Sequence, residues 1–305
     1  ERDDEGKCAG CLWSCAEHVA PDVFHCLSTG FQKVIHMVKA IQIGLGHWGF
    51  SWTKDVIPNV PTVEMVGDVD SNPDATKRVQ DELGIDAKSC FLSLDDAVAA
   101  VDADLAICTL RTEAHYPVVK QALELGLNVL VEKPFASTIA QAKELVALAK
   151  AKGRVLMVSQ NYRFQSAPIA VAELIGPVNL VSIDFRRHAP SQGYRYWDMP
   201  DPLLADMSIH HFDLMRMVLG DEPKRVSCRT WNPPASPFGH HPIGVATLEF
   251  EKGTIVSYRG SWMSSGPVTP WSGEWTMDCS DGEIIWSSRD HFMGKAGPDR
   301  LALRE

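Results

Sequence analysis

Three polar residues in the second half of the chain have types and spacing suited to proton chemistry. Asp206, His210 and Asp213 stand at i, i+4 and i+7, which places their side chains on one face of a helix. Leu203 and Met217 share that stripe, while Leu204, Met207, Leu214, Met215 and Val218 fill much of the rest, so the helix is expected to be mostly buried. A charged stripe on a buried helix must line a cleft or be fully paired, because unpaired buried charge is costly. One outcome is an internal Asp–His network that holds a domain together. The other is a reaction site in which an imidazole, with an ordinary pKa of about 6.5, removes a hydroxyl proton near neutral pH.

Two further groups of residues favour the reaction site. The run Asn128-Val129-Leu130-Val131-Glu132-Lys133-Pro134 sets Glu132 and Lys133 at the C-terminal end of a strand, where open parallel sheets bind ligands. Gly44-Leu45-Gly46-His47-Trp48-Gly49 is G-x-G-x-x-G directly after one strand and directly before a helix. There Gly44 permits the tight turn, Gly46 lets the backbone approach a pyrophosphate and Gly49 lets helix and strand pack closely. The free N–H groups and positive dipole end of the helix then face the phosphates. Asp70, at the end of the second strand, is positioned to bind the adenosine ribose hydroxyls and to repel a 2′-phosphate, which favours NAD over NADP. Asp68 is the weaker candidate because it lies within the strand, and Asn72 is better placed than Asp70 to cap the helix at Pro73.

The elements that must position these residues fall into two patterns. From Val38 to about Ser159, strands VKAIQI, VEMVGDV, DLAICTL, NVLVE and RVLMVS alternate with helices after Gly49, from Pro73 to about Leu83, from Glu113 to Leu125 and from Thr138 to Ala151. Short apolar runs separated by such helices predict a doubly wound parallel α/β sheet, a Rossmann domain, over residues 37–160. Beyond about Asn161 come a helix near Ala167–Ile175, strand VNLVSIDF, the helix from Leu203 to Leu219, and then strands only. RVSCRTW, GVATLEF, TIVSYRGSW, EWTMDC and EIIW, with turns at Glu251-Lys252-Gly253 and Ser280-Asp281-Gly282, predict an α+β domain over 161–305 with a mostly antiparallel open sheet.

Composition narrows the partners. At 305 residues and 45% hydrophobic content the chain has room for two domains at about 150 residues each. A net charge of −10 without a basic run disfavours nucleic acid and anionic membranes, which leaves a small molecule as the expected ligand. No apolar stretch reaches the roughly 18 residues of a membrane span, and no signal peptide opens the chain, so a cytoplasmic protein is expected. Cys8, Cys11, Cys15 and His18 have the types and spacing of a tetrahedral zinc site, with Cys26 nearby. Residues 1–36 are nevertheless read as an appendage, since Met37 immediately precedes a complete strand signature, and no metal is assigned. His240-His241 is read as a loop beside Pro242, because nothing nearby completes a ligand set.

In order, the glycine loop, Glu132-Lys133-Pro134, Asn161-Tyr162-Arg163 and Asp206-x-x-x-His210-x-x-Asp213 resemble the glucose-fructose oxidoreductase and inositol dehydrogenase (Gfo/Idh/MocA) family, over about Val38 to Trp286. The resemblance implies an NAD(P)-dependent dehydrogenase or reductase with a sugar or polyol substrate. It makes Lys133, Asp206 and His210 the catalytic group, and the strand-end lysine with the buried-helix Asp–His pair leads us to expect that His210 takes the hydroxyl proton, Lys133 stabilises alkoxide charge and Asp206 orients or supports the pair. Substrate contacts fall to Lys133, Arg163, Asp206 and His210. Cofactor contacts fall to Gly44, Gly46, His47, Trp48, Gly49, Asp70, Ser71, Arg111, His115, Glu132 and Lys133. The family also implies a homo-oligomer, dimer or tetramer, formed through the open face of the second sheet.

Departures from the family pattern bear on substrate identity and nicotinamide contacts more than on the reaction class. Pro200-Asp201-Pro202-Leu203-Leu204 replaces a usually glycine-rich stretch, Ser208 replaces a common glycine, and Leu110-Arg111 stands where Thr-Pro is frequent. The chain stops at Glu305, before the family's closing helical segment, which suggests a C-terminal truncation. Tyr194, Arg195, Tyr196 and Trp197 either offer stacking surfaces and donors to a polyhydroxylated ligand or pack a domain interface. Two alternatives to a dehydrogenase stay open: an NAD-dependent glycoside hydrolase that works through transient oxidation, and a dinucleotide-binding protein without turnover.

Overall fold

Contacts divide the chain into two units in the computed structural model, which describes residues 37–189, 197–289, 291–292, 295–296 and 299–304. The first unit comprises the described residues up to Val131 together with Thr138–Met157, and the second comprises Glu132–Ser137 and the described residues from Val158 on. The N-terminal Cys8, Cys11, Cys15, His18 and Cys26, and with them the appendage 1–36, lie outside the described residues, as do Tyr194, Arg195 and Tyr196.

The first sheet is built from β1 (Val38–Ile43), β2 (Val63–Val69), β3 (Cys90–Phe91), β4 (Leu105–Cys108), β5 (Asn128–Val131) and β6 (Leu156–Val158). Its spatial order is β3-β2-β1-β4-β5-β6, with β1 between β2 and β4 in parallel register, Val38 opposite Val63 and Ala40 opposite Leu105. That order reverses direction at β1, the switch point at which such sheets bind dinucleotides. The helices are α1 (His47–Ser51), α2 (Pro73–Leu83), α3 (Leu94–Ala100), α4 (Thr112–Glu124) and α5 (Ile139–Lys152). Asn72 caps α2 by accepting the Asp74 N–H at 3.0 Å, and Gly84 ends it in the left-handed conformation at φ 72°.

Three details differ from the sequence expectation. The helix expected after Gly49 begins at His47, because Gly46 O already accepts Phe50 N at 2.8 Å and closes the first turn. It continues as a π turn over Trp52–Val56 and a 3-10 turn over Ile57–Asn59, where Pro58 cannot extend an α-helix. The expectation also lacked β3, too short for any periodicity, and α3, whose start Ser93 marks by accepting Asp96 N at 3.1 Å while donating to the Asp96 carboxylate at 2.6 Å.

In the second unit, α6 (Ser166–Leu174) precedes β7 (Val178–Arg186), and α7 (Ser208–Leu219) precedes β8 (Pro223–Trp231), β9 (Ile243–Phe250), β10 (Ile255–Ser261), β11 (Glu274–Cys279) and β12 (Gly282–Ser287). Next come β13 (His291–Phe292) and β14 (Lys295–Ala296), which pair with each other, and β15 (Arg300–Arg304). The large sheet runs β15-β12-β11-β7-β10-β9-β8, antiparallel except where β7 lies parallel to β10. Burial alternates along β9 and β10, so one sheet face packs and the other is open. On the packed face Val181, Ile183, Phe185, Trp275 and Trp286 form one core with Val171 of α6 and with Leu214, Met215 and Val218 of α7. Truncating one of these large side chains to alanine would cost about 3–5 kcal/mol.

Candidate active site

The glycine loop is held from below by a buried polar chain. Gln42 in β1 donates to Gly49 O at 2.8 Å and to Thr109 Oγ1 at 3.2 Å, and Thr109 in turn donates to Gly44 O at 2.6 Å. Thr53 closes the chain by donating to Gln42 Oε1 at 2.8 Å. Gly44 sits at φ +96°, in the region that favours glycine. A Cβ on Gly49 would lie 1.8 Å from Gly44 O, whereas one on Gly46 would meet nothing within 4 Å. Gly46 therefore offers the open backbone approach that a pyrophosphate needs, at the first turn of α1. Asp70 Oδ2 accepts the Leu45 N–H at 2.7 Å and Oδ1 accepts Asn72 N at 2.8 Å, which ties the end of β2 to the loop. These features fit a dinucleotide, with the loop at its pyrophosphate and Asp70 at its adenosine ribose.

The other assigned cofactor contacts of the first unit differ in exposure. His47, Trp48, Ser71 and Arg111 are exposed, the last as the residue that precedes α4. His115 is fully buried and its Nε2 lies 3.1 Å from Leu110 O, so it supports the turn at Leu110-Arg111 from within. Arg78 was not singled out from the sequence. Its Nη2 donates to Leu45 O at 2.7 Å and Gly46 O at 3.1 Å, and its guanidinium lies 4.2 Å from the Phe50 ring centroid. The carbonyls and the ring commit this arginine to shaping the loop.

Glu132 and Lys133 belong to the second unit, together with Asp206 and His210. Glu132 is buried and its carboxylate accepts the Lys133 N–H at 3.1 Å. Lys133 Nζ donates to Asp206 Oδ2 at 3.0 Å and to Asp206 O at 3.3 Å, an ion pair whose side chains are 17% and 2% exposed. Breaking a pair buried this deeply by removing one partner typically costs about 3–5 kcal/mol.

The expected single helix over Leu203–Leu219 is a π turn over Leu203–Met207 followed by α7. Asp206 lies within the π turn and meets Lys133, whereas His210 stands in the first turn of α7 with its ring flat on Tyr162, centroids 4.0 Å apart and planes 4° apart. Such π turns occur often at functional sites. Asp213 is committed elsewhere, as the bidentate partner of Arg163 at 2.9 and 2.7 Å.

Burial pushes the His210 imidazole down to about 2, with Lys133, then His211 and Arg289, adding to the shift. Its Nδ1 is sealed from solvent and has no hydrogen-bond partner. The neighbouring His211 is lowered to about 4 by burial, a shift opposed by its bond to the Trp271 carbonyl. That carbonyl can only accept, so His211 Nε2–H donates to it at 2.9 Å and Nδ1 accepts from the Tyr258 hydroxyl at 3.0 Å. Ser208 then donates to Tyr258 at 2.7 Å, which gives the serine that departs from the family pattern a definite partner. His241 Nδ1 lies 3.2 Å from both Thr230 Oγ1 and Asp201 Oδ1, and Trp197 packs near Phe238 at 6.5 Å.

Residues 38–160 match the oxidoreductase family with an NAD-binding Rossmann fold, and residues 139–285 match the GFO/IDH/MocA C-terminal domain. The chain belongs to the Gfo/Idh/MocA family. It is an enzyme, an NAD-binding oxidoreductase, in agreement with the expectation from its motifs. A similar protein is the uncharacterised y4oX of Sinorhizobium fredii, 28% identical over 276 residues that cover 86% of this chain and 76% of the relative. The scyllo-inositol 2-dehydrogenase (NAD(+)) of Bacillus subtilis is 25% identical over 237 residues, 74% of this chain and 68% of that protein. Among solved structures, an inositol dehydrogenase homologue from Azotobacter vinelandii, in complex with NADH and myo-inositol, aligns with a TM-score of 0.74 at 19% identity. The alignment covers 88% of this chain and 76% of that one and attests the shared fold.

Proposed function

We propose that this Gfo/Idh/MocA enzyme interconverts a secondary alcohol and its ketone on a sugar, sugar derivative or cyclitol. The observation that carries this reading is the buried Lys133–Asp206 pair in the same unit as a neutral His210. When bound, NAD supplies the two-electron acceptor for the carbon that bears the hydroxyl. Gly44, Gly46 and Gly49 hold its pyrophosphate and Asp70 its adenosine ribose. His210 takes the hydroxyl proton at Nε2, because Nδ1 is sealed from solvent. Lys133 donates to the substrate oxygen and stabilises the negative charge that develops there, while Asp206 holds the ammonium in place. Arg163, fixed by Asp213, serves as a substrate contact.

Inositol dehydrogenases among the similar proteins support a polyhydroxylated substrate. The open face of the large sheet supports a homodimer or tetramer, which light scattering would measure. No helix among the described residues is long and apolar enough to cross a membrane.

The test is a panel of sugars, inositols and uronates with NAD, followed by net formation of NADH. General acid–base groups contribute about 10² to 10⁴-fold, so His210→Asn and Lys133→Met should each lower turnover by about that factor, with NAD binding near normal in His210→Asn. The melting temperature of Lys133→Met is measured beside its turnover, since that change breaks a buried ion pair. Near wild-type turnover in soluble His210→Asn protein would assign this histidine to the framework. Turnover of a glycoside without accumulation of NADH would replace net oxidation by transient oxidation.

A further inference from the structure

Arg289 stands in a conformation that its side chain makes costly. Its φ is 59°, in the left-handed region where glycine is the strain-free choice. The backbone is clamped there, since Arg289 O accepts Trp271 N at 3.2 Å and Ser272 Oγ accepts the preceding Ser288 N at 2.6 Å. A bulky residue at such a position points to a use for its side chain. The guanidinium lies 4.4 Å from the centroid of the Tyr162 ring, the ring on which His210 stacks.

The charge balance around His210 leaves this arginine over. Lys133 is neutralised by Asp206 and Arg163 by Asp213. Among the described residues no carboxylate forms an ion pair with the Arg289 guanidinium, and its Nε is buried without a hydrogen-bond partner. The Tyr162 ring offsets part of the cost of this partly buried guanidinium, no carboxylate among the described residues completes it, and its planar fork suits a carboxylate or a phosphate.

We propose that the substrate is a polyhydroxylated acid whose carboxylate is recognised by Arg289. This rests on the reading of His210 as the base, because His210 and Arg289 both lie on the Tyr162 ring, 4.0 and 4.4 Å from its centroid, which puts the anion within reach of a small molecule held at that histidine. An anion at Arg289 also offsets one of the cations that hold His210 neutral, so the substrate itself makes the imidazole a better proton acceptor.

The experiment is a calorimetric titration of the NADH complex with matched pairs that differ in one carboxylate: D-gluconate against D-sorbitol, D-glucuronate against D-glucose, tartrate against threitol. At least one acid should bind ten-fold or more tightly than its neutral partner. Arg289→Gln should abolish that advantage, Arg289→Lys should restore part of it, and both should leave NAD affinity unchanged. Equal affinities throughout, or an advantage that survives Arg289→Gln, would overturn the proposal. A selective loss of NAD affinity in Arg289→Gln would also overturn it, by assigning the guanidinium to a cofactor phosphate. Binding is read without turnover, so an acid preference with no hydride transfer would leave this inference standing and reject the proposed reaction instead.

Discussion

The His210 imidazole lies parallel to the Tyr162 ring at 4.0 Å, and that stacking helps to remove from water an imidazole that also feels the charge of Lys133. A histidine base of ordinary pKa would make kcat/KM fall below about pH 6.5. Burial, reinforced by Lys133, His211 and Arg289, holds this one at about 2. The acid limb expected of a free imidazole should therefore be absent from kcat/KM down to roughly pH 5. Tyr162→Ala opens the stack to water and should bring a limb back toward neutrality. A wild-type limb near pH 6.5 that persists unchanged in Tyr162→Ala would remove the stack from any part in tuning His210.

The glycine loop offers a sharper contrast. Gly49→Ala drives a methyl to within 1.8 Å of the Gly44 carbonyl, which cannot yield without unseating the Gln42–Thr109 chain beneath it. Gly46→Ala meets no atom of the protein and intrudes only on the space open to the pyrophosphate. Gly49→Ala should lower the melting temperature by several degrees and abolish NAD binding, whereas Gly46→Ala should melt like wild type and bind NAD at least ten-fold more weakly. Equal NAD affinity in Gly46→Ala and wild type would place the pyrophosphate elsewhere.

The nucleotide preference follows from Asp70, whose carboxylate is fixed by Leu45 N and Asn72 N at the end of β2. A 2′-phosphate beside that carboxylate is repelled, and Arg78 is occupied by the Leu45 and Gly46 carbonyls. NAD should bind at least about ten-fold more tightly than NADP, and Asp70→Asn should narrow the gap by a similar factor. Dissociation constants for NAD and NADP that agree in wild type would take the ribose role away from Asp70.

The architecture was legible because β1, β2, β4 and β5 are short apolar runs and because G-x-G-x-x-G ties a turn to a helix start. Lys133, Asp206 and His210 could be chosen by residue type and by their place on a strand end or helix face. Their partners could not. The Lys133–Asp206 bond spans 73 positions, and no period in the sequence encodes it. The π turn at Leu203–Met207 has no compositional mark, so helical spacing suggested a single stripe where the structure sends Asp213 to Arg163. Tyr162, His210 and Arg289 come together from three separate segments. Only the family motif Asn161-Tyr162-Arg163 gave a signal for Tyr162, and nothing local gave one for Arg289.

Three buried titratable groups predict opposite responses to pH in the two units. His210 and His211 are neutral in the folded chain, at about 2 and about 4, but take a proton at the ordinary 6.5 when unfolded. Below pH 6.5 the unfolded state thus binds protons that the folded state refuses, so the second unit loses stability as pH falls, by about 1.4 kcal/mol per pH unit for each histidine until its folded value is reached. Asp68 has the reverse sign. Burial raises its carboxyl from 3.8 to about 6, so the folded state holds a proton that the unfolded state gives up. Its contribution is complete below 3.8 and is lost as pH rises through about 6, so acidification across that window should stabilise the first unit. Hydrogen-exchange protection, corrected for intrinsic rates, separates the two: from pH 6 to pH 4, amides of β1 and β2 should gain protection while those of β7 and β10 lose it. Asp68→Asn should flatten the first response and leave the second unchanged. A common slope in both sheets, unaltered by Asp68→Asn, would show that these buried groups do not set the acid response.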